Sequence, residues 1–308
     1  MLCSCTARKE PVANKNNRNT SPVFNLGNFF HIQKEERAKA SPSPSPVVEA
    51  QEIPLKSGQT SVLPWDKEEA FLNAKMTNGT PILMAAYHTV LHDPLPGEEF
   101  NVHLAASMLA GKVISPSAVF SQNQTAGPYT EERGFQKGPT YAGAKLITTI
   151  GGGVCKIAST LYNVAILSNL EIVERYNHGM PVPYVPYGQD ATVSYGAKDI
   201  KFRNSTNAPI MIWAKGVDNV LYIAFYGTQT PPKVEWHHER ISTIPAPKSY
   251  KNNTTIPVGI EKVLYEGMDG GIVRSWVTIN QPDGSVTEKQ LGNSRYAPFP
   301  FIIEKSLN

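Results

Sequence analysis

Residues 148–167 read TTIGGGVCKIASTLYNVAIL: three glycines run straight into a cysteine, and the cysteine into an amphipathic pattern. Ile157, Leu161, Val164 and Ala165 recur at the spacing that lines one face of a helix. Ser168 closes that pattern and Asn169 ends it, which predicts a helix over 154–169 buried along one side, with Cys155 in its first turn. Glycines before a cysteine let the backbone turn sharply and keep side chains away from a bound group. No Gly-Lys-Ser/Thr follows at the spacing of a phosphate loop, so nucleotide binding by this stretch is excluded.

A cysteine at a helix start has a specific chemistry. The first amides of a helix lack intrahelical acceptors and carry the positive end of its dipole. A thiolate there is stabilised, and its pKa falls below the free value of roughly 8.5. The same backbone N–H groups, from Gly152, Gly153, Val154 or Cys155 itself, are expected to receive the oxyanion of a tetrahedral intermediate. The competing expectation is that Cys155 only packs. The two other cysteines, Cys3 and Cys5, stand at the extreme N-terminus, so no disulfide framework or Cys-x-x-Cys metal knuckle is written here.

A nucleophilic thiol needs a base. His31 lies in the N-terminal tail, and His237 and His238 fall in an expected linker. His88, His92, His103 and His178 remain, and His178 follows LEIVERY, a strand-like run directly after the cysteine helix. Helix then strand returns the chain beside the helix start, which brings His178 toward Cys155, with Asp190 or Asn177 to orient the imidazole. A loop histidine capping a turn is the alternative for His178. Neither His178 nor Asp190 has a partner at zinc-ligand spacing, so no metal and no cofactor is expected.

The rest of the chain frames this centre. A helical pattern in WDKEEAFLNAKM and a strand in PILMAAYHTVL precede FNVHLAASMLAG, where Val102, Ala105, Ala106 and Leu109 share one helical face and Gly111 caps it. IMIWAKG and VLYIAFYG flank VDN, a hairpin signal. The fold class expected is α+β: a mixed sheet with a central helix carrying Cys155 at its N-terminus, plus a small C-terminal all-β module. Residues 1–59 are expected to be a disordered tail and Pro/Ser-rich tether, 60–230 the working domain and 250–308 the β module. LCSC followed by a polar stretch resembles the end of a trimmed lipoprotein signal with Cys5 lipidated; an irrelevant tail is the alternative. With 29 basic against 26 acidic residues, nothing points to a nucleic-acid partner. No apolar run is long enough to span a bilayer, which leaves a lipid anchor as the route to a membrane.

Three stretches, FNVHLAASMLAGKVISPSAVFSQNQTAGPYTEERGF, IGGGVCKIASTLYNVAILSNLEIVERYNHGMPVPYVPYGQDATVSYGAKDIKFRNSTNAPI and VLYIAFYG, resemble the VanW-like family in order, over roughly residues 80–227. The resemblance implies an extracytoplasmic, membrane- or wall-associated protein. It implies L,D-transpeptidase-type acyl transfer on peptidoglycan stem peptides, with Cys155 as nucleophile, His178 as proton shuttle and Asp190 as its orienter. Water in place of the acceptor amine would give a carboxypeptidase, which nothing in the sequence excludes. Tyr129, Glu131, Arg133 and Asn177 are expected to contact substrate. The segment VGIEKVLYEGMDGGIVRSWVTINQPDGSVTEKQLGNSRYAPFPFIIE resembles a G5-type module, which implies contact with wall glycan. Lys156 departs from the glutamine common after this cysteine in the family, and a cation there is expected to lower the thiol pKa further. The alternative function is a non-catalytic peptidoglycan-binding protein, linked to wall maintenance or glycopeptide resistance, whose glycine loop binds a carboxylate through backbone N–H groups.

Overall fold

The apolar run PILMAAYHTVL and the VDN hairpin build one sheet around which the rest is laid. The computed structural model describes residues 56–92, 94–142 and 145–306, all within one compact unit. The candidate lipidation site Cys5, with Cys3, His31 and nearly all of the tether, lies outside the described residues. The chain runs β1 (Gly58–Gln59), α1 (Glu69–Thr77), β2 (Ile82–Val90), α2 (Glu98–Leu109) and β3 (Lys112–Ile114). It continues through β4 (Val119–Ser121), α3 (Gln122–Ala126), a 3-10 turn (Glu131–Arg133), β5 (Lys137–Ala142), β6 (Lys145–Ile150) and α4 (Cys155–Leu167). Then follow β7 (Glu171–Glu174), β8 (Lys201–Arg203), β9 (Ile210–Val217) and β10 (Val220–Gly227). The main sheet has the order β1-β2-β10-β9-β3, with β4-β8-β7 and the β5-β6 ribbon beside it.

Every pairing in the main sheet is antiparallel, so the expected mixed sheet is corrected to an antiparallel one. The reason lies in the connections: β9 and β10 meet through a tight turn with Asp218 at positive φ, and such turns join only antiparallel neighbours. Gly58 and Gln59, expected in the tether, extend the sheet by pairing with His88 and Tyr87 of β2.

α4 departs further from expectation. Every residue from Lys156 to Leu167 is buried, not one stripe of them. The helix touches β2 and β10 as well as β7, α2 and a later strand, β11 (Lys233–Ile244), so no face is left to solvent. A helix enclosed on all sides can carry polar residues only if each finds a partner. Ser159, Thr160 and the Asn163 amide nitrogen do so.

The C-terminal part continues with β12 (Lys248–Asn252), β13 (Glu261–Tyr265), β14 (Gly270–Asn280), β15 (Val286–Tyr296) and β16 (Phe301–Lys305). These strands form two three-stranded sheets, β11-β14-β15 and β12-β16-β13. His237 and His238 therefore belong to β11, paired with Trp276 and Ser275 of β14, and not to a linker. Two aromatic stacks, Trp236 on His238 and His237 on Trp276, fix that strand in a way its mixed polarity concealed. Val234, Val277 and Ile279 from these strands join the same apolar core as Ile157, Leu161 and Val164 of α4.

Candidate active site

Cys155 is the first residue of α4, after Gly151 and Gly153 at φ of 74° and 101°. Those two glycines supply left-handed backbone that a side chain would strain. Gly152 serves another need: a Cβ there would lie 2.2 Å from the Gly138 backbone. The triple glycine is thus two turn residues and one close approach to β5.

The helix faces the segment 188–193 in register. Cys155 Sγ lies 3.4 Å from Thr192 Oγ1 and 3.7 Å from the Val193 carbonyl oxygen. One turn on, Ser159 Oγ donates to the Ala191 carbonyl (3.1 Å) and accepts from its amide (2.9 Å). A further turn on, Asn163 Nδ2 donates to the Gln189 carbonyl at 2.8 Å. The i, i+4, i+8 row of small polar side chains therefore clamps both neighbours of Asp190. Thr160 Oγ1 meets Thr89 Oγ1 at 2.7 Å, which ties the helix to β2.

Asp190 and His178 are held together. The His178 ring donates from Nδ1 to Asp190 Oδ2 (2.7 Å), and the His178 amide donates to the same oxygen (2.7 Å). The ring lies near enough to the Cys155 thiol for each to shift the other's ionisation, and the Tyr184 hydroxyl is 3.5 Å from Nε2. Asp190 Oδ1 accepts from Arg175 Nη2 (3.1 Å) and from the Tyr296 hydroxyl (2.5 Å). All of this is dry: Asp190 is 1% exposed and His178 9%.

The electrostatics follow from burial and partners. Burial pushes the Cys155 thiol up, but the hydrogen bond and charge of His178, with Thr192 and Val193, outweigh it and hold it below the ordinary thiol value. Burial pulls His178 down, yet its hydrogen bonds to Asp190 and Cys155, and then their charges, carry it up to about 9. Burial raises Asp190, and the hydrogen bond and charge of His178, with Arg175, bring it below the ordinary carboxylate range. A thiolate–imidazolium pair backed by a carboxylate is the protonation state these influences favour together.

The remaining expected residues divide. Gly152 and Val154 amides are committed to turn carbonyls of Thr149 (3.2 Å) and Gly151 (3.3 Å). Gly153, with Cys155 itself, is left as the oxyanion candidate, and Gly152 and Val154 are corrected to structural positions. Tyr129 is wall rather than free surface: Gln122 Nε2 donates to its hydroxyl (3.1 Å), which donates to Asn123 Oδ1 (3.0 Å). Gln122 also donates to the Val154 carbonyl at 3.2 Å, so it braces the turn before the cysteine. Glu131 and Arg133 are exposed on the 3-10 turn. Asn177 does not orient the imidazole; its Nδ2 donates to the carbonyls of His178 (2.7 Å) and Arg295 (2.8 Å). His88 and His103 bind the carbonyls of Lys56 and Asp218 and take no part. Among the described residues no cluster of three His, Cys, Asp or Glu side chains has metal-site geometry, and no helix is long and apolar enough to cross a membrane.

Lys156 also differs from expectation. Its ammonium pairs with Glu98 and lies 4.7 Å from the Tyr184 ring centre, and it is not among the groups that lower the Cys155 thiol. Burial pulls the Lys156 amine down to about 7. Glu98 in turn accepts from the Leu95 amide at 3.1 Å, fixing the start of α2. Removing the carboxylate leaves a buried amine without its partner, so Glu98→Ala is expected to cost about 3 kcal/mol in urea denaturation.

Sequence reasoning missed Arg175, Tyr184, Thr192 and Tyr296, as well as the Ser159–Asn163 clamp. The clamp had a visible signal: polar residues four and eight positions after Cys155 in an otherwise apolar helix.

Comparison with known proteins matches residues 97–226 to the family described as VanW like protein. The chain is 37% identical over 145 residues to the uncharacterized protein YoaR of Bacillus subtilis (strain 168), covering 47% of this chain and 48% of that one. It is 35% identical over 119 residues to the vancomycin B-type resistance protein VanW of Enterococcus faecalis (strain ATCC 700802 / V583), covering 37% of this chain and 43% of that one. The chain thus spans about half the length of these relatives. Among solved structures, the G5 domain of an IgA1 protease shares 24% identity, with 27% of this chain and 99% of that one covered, at a TM-score of 0.16. Cys155, His178, Arg175 and Asp190 all fall inside the VanW-like region; Tyr296 falls outside it.

Proposed function

We propose that this chain, which carries a VanW-like domain over residues 97–226, is an extracytoplasmic cell-wall acyl transferase of the L,D-transpeptidase type. The observation that supports the reading is His178, hydrogen-bonded to Asp190 at 2.7 Å and raising the acidity of Cys155 at the start of a buried helix. A binding module needs the glycine turn and its amides; it has no use for an imidazole raised to about 9 beside a lowered thiol. The family resemblance supplies the substrate class, the peptide stems of peptidoglycan.

In this reading the Cys155 thiolate adds to the carbonyl of the stem residue before the terminal D-amino acid. The oxyanion that forms is received by the Gly153 and Cys155 amides. Imidazolium His178 gives its proton to the departing amine nitrogen, the C–N bond breaks, and a thioester remains on Cys155. The amine of a second stem then attacks the thioester and gives a proton to neutral His178. The C–S bond breaks, the thiolate returns, and the new amide is the cross-link. Water in the amine's place gives hydrolysis by the same route. Arg133, exposed on the rim near Tyr129, is suited to a stem carboxylate.

Because the leaving amine needs the His178 proton, activity is expected to fall on the alkaline side near pH 9, not near the ordinary imidazole value. Product analysis with a tetrapeptide-stem muropeptide tests the reading. Cross-linked dimer and free D-amino acid are expected from the wild type and absent with Cys155→Ala. Tight muropeptide binding without either product, equal in both proteins, would establish a wall-binding module instead.

A further inference from the structure

We infer that the C-terminal strands complete the active site, and that Tyr296 of β15 is a positioning residue for the Asp190–His178 pair. This inference rests on the functional reading above and adds to it a part outside the VanW-like region, which ends at residue 226.

Asp190 uses both carboxylate oxygens. Oδ2 takes the two His178 donors, and Oδ1 takes Arg175 and Tyr296. The position of the carboxylate plane is therefore set by contacts on both edges, and one of the two on the outer edge comes more than a hundred residues downstream. Tyr296 is itself fixed: it is 3% exposed, accepts from the Gly188 amide at 2.8 Å, and packs edge-on against Tyr187 with ring centres 5.3 Å apart. Its hydroxyl hydrogen then has one direction left, toward Asp190.

Two further bonds tie the same segment to the same strands. Arg175, which also donates to the Asp190 carbonyl (2.8 Å), donates from Nη1 to Ser294 Oγ at 2.9 Å. Gln189 Nε2 donates to His238 Nε2 (2.9 Å), and His238 Nδ1 pairs with Ser275 Oγ (3.0 Å). Ser294 and Ser275 are each 2% exposed. Trp236 of β11 meets Tyr162 of α4 edge-on at 5.7 Å, and Arg175 lies over the other partner of that contact, the Tyr162 ring, at 4.9 Å. An independently folded wall-binding appendage would not need four polar bonds, two of them fully buried, to Arg175, Gly188, Gln189 and Asp190. These bonds make sense as a brace that stops the carboxylate turning away from the imidazole.

The test uses the full chain with Tyr296→Phe, which removes one oxygen and keeps the packing. Tyr250→Phe, an exposed tyrosine of β12, is the control. The readout is the pH dependence of Cys155 alkylation by iodoacetamide, followed on the Cys155 peptide by mass because Cys3 and Cys5 also react. Steady-state kcat and KM for dimer formation are measured alongside. A loosened carboxylate holds the imidazolium less well, so the thiolate limb is expected to move up toward the ordinary thiol range. kcat is expected to fall about tenfold at unchanged KM, the worth of one hydrogen bond to a charged group. A profile coincident with wild type, or shifted to lower pH, overturns the positioning role, since loss of a donor acting on charge alone would strengthen the ion pair. If Tyr296→Phe does not fold, Ser294→Ala, which leaves Tyr296 in place, is read by the same two outcomes. Should wild-type Cys155 itself alkylate as an ordinary thiol, the transferase reading fails and this inference falls with it.

Discussion

Cys155→Ala is expected to reduce cross-link formation to the uncatalysed rate while leaving the fold intact. The thiol's hydrogen bonds to Thr192 (3.4 Å) and Val193 (3.7 Å) are long and the side chain is only partly buried, so its removal opens little space in the core. The helix start, the glycine turn and the Ser159–Asn163 clamp do not depend on sulfur. Chemistry should therefore vanish without a matching loss in melting temperature, a separation that a packing cysteine would not give. Turnover of a tetrapeptide-stem muropeptide and a thermal melt on the same preparation check both halves.

Asp190→Asn is the second large effect, for a different reason. The carboxamide is the same size, but one of its two edges becomes a donor. Facing His178 Nδ1, it forces either the wrong imidazole tautomer or a lost hydrogen bond, and facing Arg175 and Tyr296 it offers weaker acceptance. The imidazolium loses the charge that holds it up, and the thiolate loses the imidazolium. A fall in kcat of about 10³- to 10⁴-fold at similar KM is expected, by analogy with orienting carboxylates in other nucleophile–histidine relays. Iodoacetamide reactivity of Cys155 near neutral pH should drop with it. A variant within a few-fold of wild type would mean that Arg175 and the protein frame orient His178 without Asp190's charge.

The parts of this site that lie close in sequence to a strong local signal were legible. Cys155 stands between a glycine turn and a helix pattern, and His178 follows the next strand, so backbone geometry alone brings the chain back toward the helix start. Asp190 could be nominated but not distinguished from Asn177, because side-chain direction in an irregular proline-rich loop has no period to read. The structure separates them: Asn177 turns to the Arg295 carbonyl, and Asp190 turns inward. Lys156 shows that adjacency along the chain does not fix a side chain's direction. On a helix, neighbouring side chains point about 100° apart, and Lys156 follows its own direction to Glu98.

What was not legible depended on long-range pairing. Tyr296 and Ser294 sit in a strand whose sequence, VTEKQLGNSRY, alternates weakly and shows no sign of a carboxylate more than a hundred residues earlier. Likewise β11 looked like a linker because its residues are mostly polar; its order comes from cross-strand stacking and pairing with β14. Enclosure of α4 on every side also required strands that arrive seventy residues later, so a one-face reading was all its own pattern allowed.

Acyl transfer through Cys155 is tested most directly by the intact mass of the full chain after brief incubation with a tetrapeptide-stem muropeptide and acid quench. The expected result is an adduct equal to the muropeptide less its terminal D-amino acid, carried on the Cys155 peptide and absent from Cys155→Ala. The adduct is expected to disappear when a second stem amine is supplied, with dimer formed in its place. An unmodified mass under conditions where the muropeptide demonstrably binds would contradict acyl transfer through Cys155.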